Sequence, residues 1–278
     1  MRTAAPTDRT KSRRSWSRPE GPVVTRGDPT AWAQLSWLEP RKLVALFPNK
    51  RVWVYGSAQE QRETILRQVS YQEYVDYLES EDRRGPTSTE RHEILYLGEH
   101  PHLAQRIGIA EPLARYVRPL VPRAAVTPPE FAFWMGPKGS HSGLHADYEG
   151  VNIICQIYGR KRVYVIPPEY GAHIPRAARY DAGAFTTSVD LWDERSYHGA
   201  LAGVNLKANH FDLEPGDILA IPRYSWHAAQ NESISIAASY RTETPVSLAL
   251  NLWPRVVNIV HRLGLYKKGN CTCHLPGI

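Results

Sequence analysis

Apolar and polar residues alternate along a series of short segments in the second half of the chain, between residues 131 and 241. The segments FAFWMG, VNIICQIYG, KRVYVIPP, HFDLEPGDILAIP and SISIAASYR are rich in β-branched and aromatic residues, and turn signals such as Gly-Pro, Tyr-Gly-Arg, Pro-Gly-Asp and Gln-Asn-Glu separate them. Many short runs of this kind predict β-strands that build a sandwich or a barrel. The pattern therefore predicts a mainly β domain.

Helical spacing of apolar residues occurs on both sides of this β-rich region. Residues Ser70 to Asp82 (SYQEYVDYLESED) form an amphipathic pattern, and Ser70 with Glu73 three residues later matches a capping box. Residues Val246 to Tyr266 predict one or two helices that break at Pro254, because proline interrupts a helix interior. We expect helices to flank the β domain on its N-terminal and C-terminal sides.

The charge of the chain is concentrated towards its ends. The net charge is +6 over 278 residues, and the segment RTKSRRSWSR contributes much of the excess. Residues 1–29 predict a disordered basic leader, residues 30–245 one domain with its core at about 131–241, and residues 246–278 a helical extension and tail. A basic tail can favour polyanions or be a solvated flexible end, and the body of the chain shows no specific nucleic-acid signature.

The cysteines and the hydropathy of the chain indicate its compartment. The cysteines, Cys155, Cys271 and Cys273, do not make a disulfide framework and suit a reducing environment. No apolar run approaches membrane-spanning length, and the N-terminus lacks the hydrophobic segment of a secretory signal. We expect a cytoplasmic protein that does not bind a membrane.

A histidine and a carboxylate two residues apart mark the candidate chemistry. His145 and Asp147 lie at i and i+2 of a predicted strand and therefore leave the same face, and His227 ends a strand much later in the chain. Two histidines and one carboxylate on one face suit non-haem Fe(II), whereas zinc more often takes a closed tetrahedral set. An isolated His-x-Asp is a weak signal by itself. Lys161 strengthens it, because a cation aimed into a barrel needs an anionic partner such as a co-substrate carboxylate.

Three linked blocks, FWMGPKGSHSGLHAD, NIICQIYGRKRVYVIPP and PGDILAIPRYSWHAA, carry a family resemblance. In order and spacing they resemble the JmjC/cupin-like 2-oxoglutarate oxygenases, especially the branch that contains the asparaginyl hydroxylase factor inhibiting HIF. The resemblance is strong from about Phe131 to Tyr240 and extends more weakly to SYQEYVDYL and EILYLGEHP. It implies a double-stranded β-helix core, also called a jelly roll, with flanking helices.

The same resemblance implies a metal set and a co-substrate set. Fe(II) is expected on His145, Asp147 and His227. Lys161 stands where the family's lysine grips the distal carboxylate of 2-oxoglutarate, and Ser142 stands where a hydroxyl helps that grip.

Further residues are placed by the resemblance with alternatives still open. Tyr96 matches a tyrosine that also grips the co-substrate, and it could equally be an ordinary core residue. Asn152 matches an asparagine close to the co-substrate, although the segment from Asp147 to Asn152 is one residue longer than usual. Ser239 and Arg241 replace the family's frequent Asn and Trp. Ser239 could hydrogen-bond near the iron, and Arg241 could meet an acidic substrate or be an outward strand charge.

The activity that the resemblance implies is that of a dioxygenase. It would consume O2 and 2-oxoglutarate, release succinate and CO2, and hydroxylate an amino-acid side chain in a protein or peptide. The alternative is hydroxylation of a small metabolite or natural-product precursor. A third interpretation is a non-oxygenase metal-binding cupin or an interaction protein, and Lys161 with Ser142 speaks against it. The C-terminal helices could form a homodimer face, as they do in some relatives.

Overall fold

The computed structural model describes residues 21–26, 35, 37–47, 49–56, 67–84, 94–98, 101–122, 125–126, 131–148, 150–181, 183–192, 209–268 and 270–271. The strands in this part of the chain are β1 Val23–Thr25, β2 Arg51–Gly56, β3 Arg67–Ser70, β4 Leu95–Tyr96, β5 Phe131–Gly136, β6 His145–Asp147, β7 Asn152–Tyr158, β8 Lys161–Ile166, β9 Ala184–Thr186, β10 Asn209–Leu213, β11 Ile218–Ile221, β12 Trp226–Asn231 and β13 Ser235–Arg241. The helices are α1 Pro40–Leu46, α2 Tyr71–Arg84, α3 Pro101–Ile107, α4 Ala110–Val117, α5 Pro245–Leu250 and α6 Leu252–Arg262, with short 3-10 helices at Arg118–Leu120 and Pro168–His173.

Two five-stranded antiparallel sheets form the core of the domain, in the orders β1-β11-β7-β13-β5 and β10-β8-β12-β6-β9. Side chains from both sheets meet in one apolar cluster, which includes Ile154 and Leu219 from the first sheet and Val163 and Val165 from the second. The predicted mainly β fold with a jelly-roll core and flanking helices is therefore confirmed.

Strand β8 shows how the sequence selects an inner and an outer face. Its buried residues Lys161, Val163 and Val165 alternate with the half-buried Arg162 and Tyr164. Side chains two apart on a strand share a face, so Lys161 lies on the same inner face as the two valines. The same alternation that buries the two valines therefore places the charged Lys161 in the barrel interior.

The N-terminal helices cover the outer face of the first sheet. The predicted capping box of α2 is confirmed, since the Ser70 amide donates to the Glu73 carboxylate at 2.6 Å and the Glu73 amide donates to the Ser70 hydroxyl at 3.2 Å. The hydroxyl of Tyr74 on α2 donates to the Met135 carbonyl of β5 at 2.7 Å. This contact fixes α2 against the barrel wall.

A small third sheet, ordered β3-β2-β4, delivers Tyr96 to the barrel. Tyr96 ends β4, and the next residue, Leu97, pairs with Met135 of β5 through two backbone hydrogen bonds of 2.9 and 2.8 Å. Because this bridge joins β4 to the barrel, the Tyr96 side chain enters from outside the ten core strands.

Two sequence expectations require correction. The predicted leader of residues 1–29 contains β1, in which Val23–Thr25 pairs with β11 and Val24 packs on the interior cluster. The basic, Pro-rich sequence around β1 gave no strand signal, because β1 is stabilised by its pairing with β11 rather than by its own composition. The predicted break at Pro254 is also wrong, because the helices divide at Asn251 and Pro254 lies in the first turn of α6, where proline is tolerated.

The C-terminal helices carry a large exposed apolar surface, here called the C-terminal face. Leu252, Val256, Ile259 and Leu263 follow helical spacing along one side of α6 and beyond its end. Other exposed large apolar residues in the same region are Val246, Leu250, Trp253, Leu265 and Tyr266. None of the described helices combines the length and apolar content needed to cross a membrane.

We predict that two copies of the chain pair through the C-terminal face. A contiguous apolar patch on a helix pair is typical of an interface, and two-fold symmetry is the commonest way to cover one. Ile259→Glu should convert an assembly of twice 31.5 kDa into single 31.5 kDa chains in light scattering coupled to size-exclusion chromatography. Leu46→Glu, at an exposed leucine of α1, is the matched control and should leave the mass unchanged. A wild-type protein with the mass of one chain would contradict the prediction.

Candidate metal centre and the pocket beside it

Three side chains that can bind a metal converge inside the barrel. His145 and Asp147 come from β6, and His227 on the neighbouring β12 is the register partner of His145. One ligand atom from each residue lies within 4.8 Å of the others. The Nε2 atoms of His145 and His227 are 3.9 and 3.5 Å from the two Asp147 carboxylate oxygens. The structure thus brings together the three residues that the sequence proposed as ligands.

The backbone sets the tautomer of both histidines. Nδ1 of His145 is 2.8 Å from the Gly143 carbonyl, and Nδ1 of His227 is 3.0 Å from the Ser225 carbonyl. Carbonyl oxygens only accept, so each Nδ1 carries a proton and each ring turns its Nε2 towards Asp147. Two Nε2 atoms beside one carboxylate can hold a cation, and a set of two histidines and one carboxylate fits Fe(II).

Asp147 is held as a carboxylate by its neighbours. Burial by itself raises its pKa, but Arg241, His227, His145 and the Asn152 amide together hold the pKa below its usual range. The Arg241 Nε is 3.8 Å from the Asp147 Oδ2, and the Asn152 side-chain amide donates to the same oxygen at 2.8 Å. Arg241 therefore faces the site, and Asn152 lies beside a candidate metal ligand.

A second polar cluster surrounds Lys161. Its ammonium donates to the Asn231 Oδ1 at 2.7 Å and to the Tyr96 hydroxyl at 3.3 Å. Burial lowers the pKa of Lys161 from 10.5 to about 7, and no carboxylate in the described part of the chain pairs with it. Burial also raises the pKa of Tyr96, so its hydroxyl keeps its proton at neutral pH.

Asn231 is the member of this cluster that the sequence analysis missed. It follows His227 by four residues on β12, so it shares the inner face with His227 and Ala229. It is also the register partner of Lys161. The period of two along β12 places Asn231 on the inner face, whereas the residues Gln-Asn-Glu predict a turn.

The two predicted serines occupy different positions. Ser142 lies beside β12, where its amide donates to the Ala229 carbonyl at 2.8 Å and its hydroxyl accepts from the Ala229 amide at 3.1 Å. Ala229 is midway between His227 and Asn231, so Ser142 stands between the metal set and the lysine cluster. The Ser239 hydroxyl accepts from the Trp134 indole at 2.8 Å, and the Trp134 ring lies 5.8 Å from the Tyr96 ring.

A jelly-roll barrel with a His-Asp-His set on its inner wall defines a cupin-like protein with a candidate metal centre. The sequence model of the family described as "Cupin-like domain" matches residues 17–255, so the chain belongs to this family. This confirms the resemblance to JmjC/cupin-like proteins that the sequence motifs carried.

Curated relatives match part of the chain. HSPB1-associated protein 1 of Homo sapiens is 29% identical over 140 residues, which is 45% of this chain and 23% of the relative. Jumonji C domain-containing protein 5 of Drosophila melanogaster is 28% identical over 108 residues, 38% of this chain and 26% of that protein. tRNA wybutosine-synthesizing protein 4 of Emericella nidulans is 34% identical over 98 residues, 34% of this chain and 9% of that protein. The match thus spans about a quarter or less of each relative's length.

We predict that Asp147→Asn abolishes divalent metal binding while the protein stays folded. The amide keeps the shape of the carboxylate but removes the negative charge that lies beside both histidine Nε2 atoms. The affinity for Mn(II) or Co(II), measured by titration, should fall by about 100-fold or more, because even indirect contacts contribute 10–100-fold. Metal should raise the melting temperature of the wild type and not that of the variant. His210→Ala, at a half-buried histidine of β10, is the control and should bind metal normally.

We also predict that burial of Lys161 makes stability rise with pH. Because its pKa is about 7 in the folded chain and 10.5 in the reference state, the unfolded chain binds more protons between these values. The free energy of unfolding should therefore increase over this range. Lys161→Met removes the charge, so it should be more stable than wild type at pH 7, and the difference should shrink by pH 9.5 in urea titrations. A difference that does not change with pH would contradict the buried cation.

Proposed function

We propose that the chain is an Fe(II)- and 2-oxoglutarate-dependent dioxygenase that hydroxylates an amino-acid side chain in a protein or peptide, with release of succinate and CO2. The observation that carries this proposal is Lys161. It is a buried ammonium without a carboxylate partner among the described residues, in the same barrel as the His-Asp-His set. A buried cation is costly unless it is paired, so the pocket favours a ligand that brings an anionic end.

The strand register supports a short dicarboxylate. Lys161 pairs with Asn231 and Val165 pairs with His227, so the lysine and the metal set lie four residues apart along β8 and β12. Four residues span about 13 Å of an antiparallel strand. The lysine side chain closes part of that span. The remaining gap suits a ligand such as 2-oxoglutarate, whose keto acid would reach the metal while its distal carboxylate meets Lys161.

Each residue of the site would then have a defined role. Fe(II), when bound, supplies the activation of O2 that is coupled to oxidation of the keto acid. The third N–H of Lys161, the Tyr96 hydroxyl and the Ser142 hydroxyl would hold the distal carboxylate. Asn152 holds the Asp147 carboxylate in place, and the backbone carbonyls behind His145 and His227 hold the proton on Nδ1, which leaves Nε2 as the nitrogen that would bind the metal.

The surroundings of the site support a peptide as the prime substrate. Arg241 has 28% of its side chain exposed beside Asp147, so its charge can reach an acidic group next to the reacting side chain. A depression of about 660 Å³ lies where Ala146 and Trp226 meet Phe185, Tyr224 and Arg176. Since Ala146 and Trp226 alternate with the metal ligands along β6 and β12, this depression lies on the opposite face of those strands. It is therefore a separate surface from the metal site.

The proposal predicts turnover that depends on both the His-Asp-His set and Lys161. Under anaerobic conditions, wild type with Fe(II) should bind 2-oxoglutarate, and addition of O2 should release succinate slowly even without a prime substrate. Lys161→Met should bind the metal but lose the co-substrate, and Asp147→Asn should lose both. A peptide panel that varies acidic residues then tests the side-chain substrate, with small metabolites as the comparison.

The pH dependence of co-substrate binding supplies a control on the mechanism. Because Lys161 must be charged to receive a carboxylate, affinity for 2-oxoglutarate should fall about tenfold per pH unit above about 7. Binding at pH 8 should take up a proton, which calorimetry in buffers of different ionisation enthalpy detects. Metal binding without any 2-oxoglutarate binding would overturn the proposal and favour a non-oxygenase cupin.

A further inference from the structure

A chain of neutral hydrogen bonds supports Lys161 at the end of β8. Asn231 is 1% exposed and accepts from the Lys161 ammonium through Oδ1 at 2.7 Å. Its Nδ2 donates to the Ser140 hydroxyl oxygen at 2.8 Å, and the Ser140 hydroxyl donates to the Pro137 carbonyl at 2.7 Å. No acidic residue takes part in this chain.

The orientation of the Asn231 amide follows from its partners. The Pro137 carbonyl can only accept, so the Ser140 hydroxyl proton is committed to it and the Ser140 oxygen is left as an acceptor. An NH2 group must therefore face Ser140, which turns the amide oxygen towards Lys161. The assignment rests on donor and acceptor chemistry rather than on an arbitrary choice between amide nitrogen and oxygen.

The side chains around Lys161 can pack this closely because residue 136 is a glycine. A Cβ at this position would lie 2.3 Å from the Ser140 Oγ, 2.5 Å from the Tyr96 Cδ2 and 2.9 Å from the Asn231 Nδ2. Any larger residue would displace all three of these side chains. The backbone of β5 thus packs directly against the group that holds the lysine.

We propose that Asn231 is a positioning and specificity-determining residue: it fixes the Lys161 ammonium without cancelling its charge and so makes this pocket select a ligand with a carboxylate end. The inference deepens the proposed function and rests on it where it concerns 2-oxoglutarate. An aspartate at the same place would complete an internal ion pair. Asparagine satisfies one donor of the ammonium and leaves its positive charge for an incoming anion.

The remaining hydrogen-bond capacity agrees with this role. An ammonium has three donors, and the described partners of Lys161 are Asn231 and Tyr96. The third donor and the Tyr96 hydroxyl proton are both available to a ligand oxygen. Two donors at one point match the two oxygens of a carboxylate, and a carboxylate also brings the opposite charge that a buried ammonium requires, whereas a neutral carbonyl does not.

The test uses the isosteric variant Asn231→Asp and a matched control. Gln230→Glu makes the same charge change on the same strand but on the opposite face, where Gln230 is half-buried. Asn231→Ser keeps a neutral oxygen and provides a second test of the position if Asn231→Asp does not fold. Two quantities are measured for each: 2-oxoglutarate binding to the Mn(II)-loaded protein by calorimetry, and the pH dependence of unfolding without ligand.

Asn231→Asp should weaken 2-oxoglutarate binding by about 100-fold or more, because the new carboxylate occupies the ammonium and repels the ligand. Without ligand, it should abolish the rise in stability that wild type shows above pH 7, because the internal ion pair keeps Lys161 protonated. Gln230→Glu should match wild type in both measurements, and Asn231→Ser should retain measurable binding.

The outcomes separate this inference from the proposed function. If wild type binds 2-oxoglutarate and Asn231→Asp binds it equally well, the inference is overturned while the proposed function stands. If wild type binds no 2-oxoglutarate, the proposed function fails, and the unliganded measurement still decides whether Asn231 governs the charge of Lys161. An unchanged pH profile in a folded Asn231→Asp protein would overturn that role as well.

Discussion

The barrel keeps two opposite charges buried without letting them neutralise each other. The Asp147 carboxylate lies among two histidines, Asn152 and Arg241, whereas the Lys161 ammonium lies among the neutral groups of Asn231 and Tyr96. A direct pair would satisfy both charges and leave nothing for a ligand to supply. Because each charge costs free energy on burial, their separation creates one site that suits a cation and another that suits an anion.

The antiparallel register maintains this separation. Strands β8 and β12 are hydrogen-bonded from Trp226 and Ile166 at one end to Asn231 and Lys161 at the other, so the two sites occupy opposite ends of one strand pair. Apolar residues between them, Val163 and Ala229, fill the wall. A shift of β8 by one residue would turn Lys161 to the outer face. The β ladder therefore determines the distance between the two sites.

The sequence predicted the charged residues better than their supports. His145 and Asp147 are recognisable because a spacing of two is a property of one strand, and Lys161 is conspicuous among valines. Asn231 was hidden because a polar residue next to Glu232 and Ser233 looks like the start of a turn, although its side chain points inward. The Ser239 partner, Trp134, lies 105 residues away in sequence, so only the sheet order could reveal it.

The C-terminal helices are part of the site's support rather than an appended segment. At the junction of α5 and α6, Asn251 donates to the Tyr148 carbonyl at 2.7 Å and accepts a hydrogen bond from Arg223. Arg223 also donates to the Tyr148 carbonyl at 3.1 Å. Tyr148 follows the candidate ligand Asp147, and Arg223 precedes the strand that carries His227. The boundary expected at residue 245 therefore crosses a hydrogen-bonded cluster. The C-terminal helices therefore contact both backbone segments that position the candidate metal ligands, one through Tyr148 and the other through Arg223.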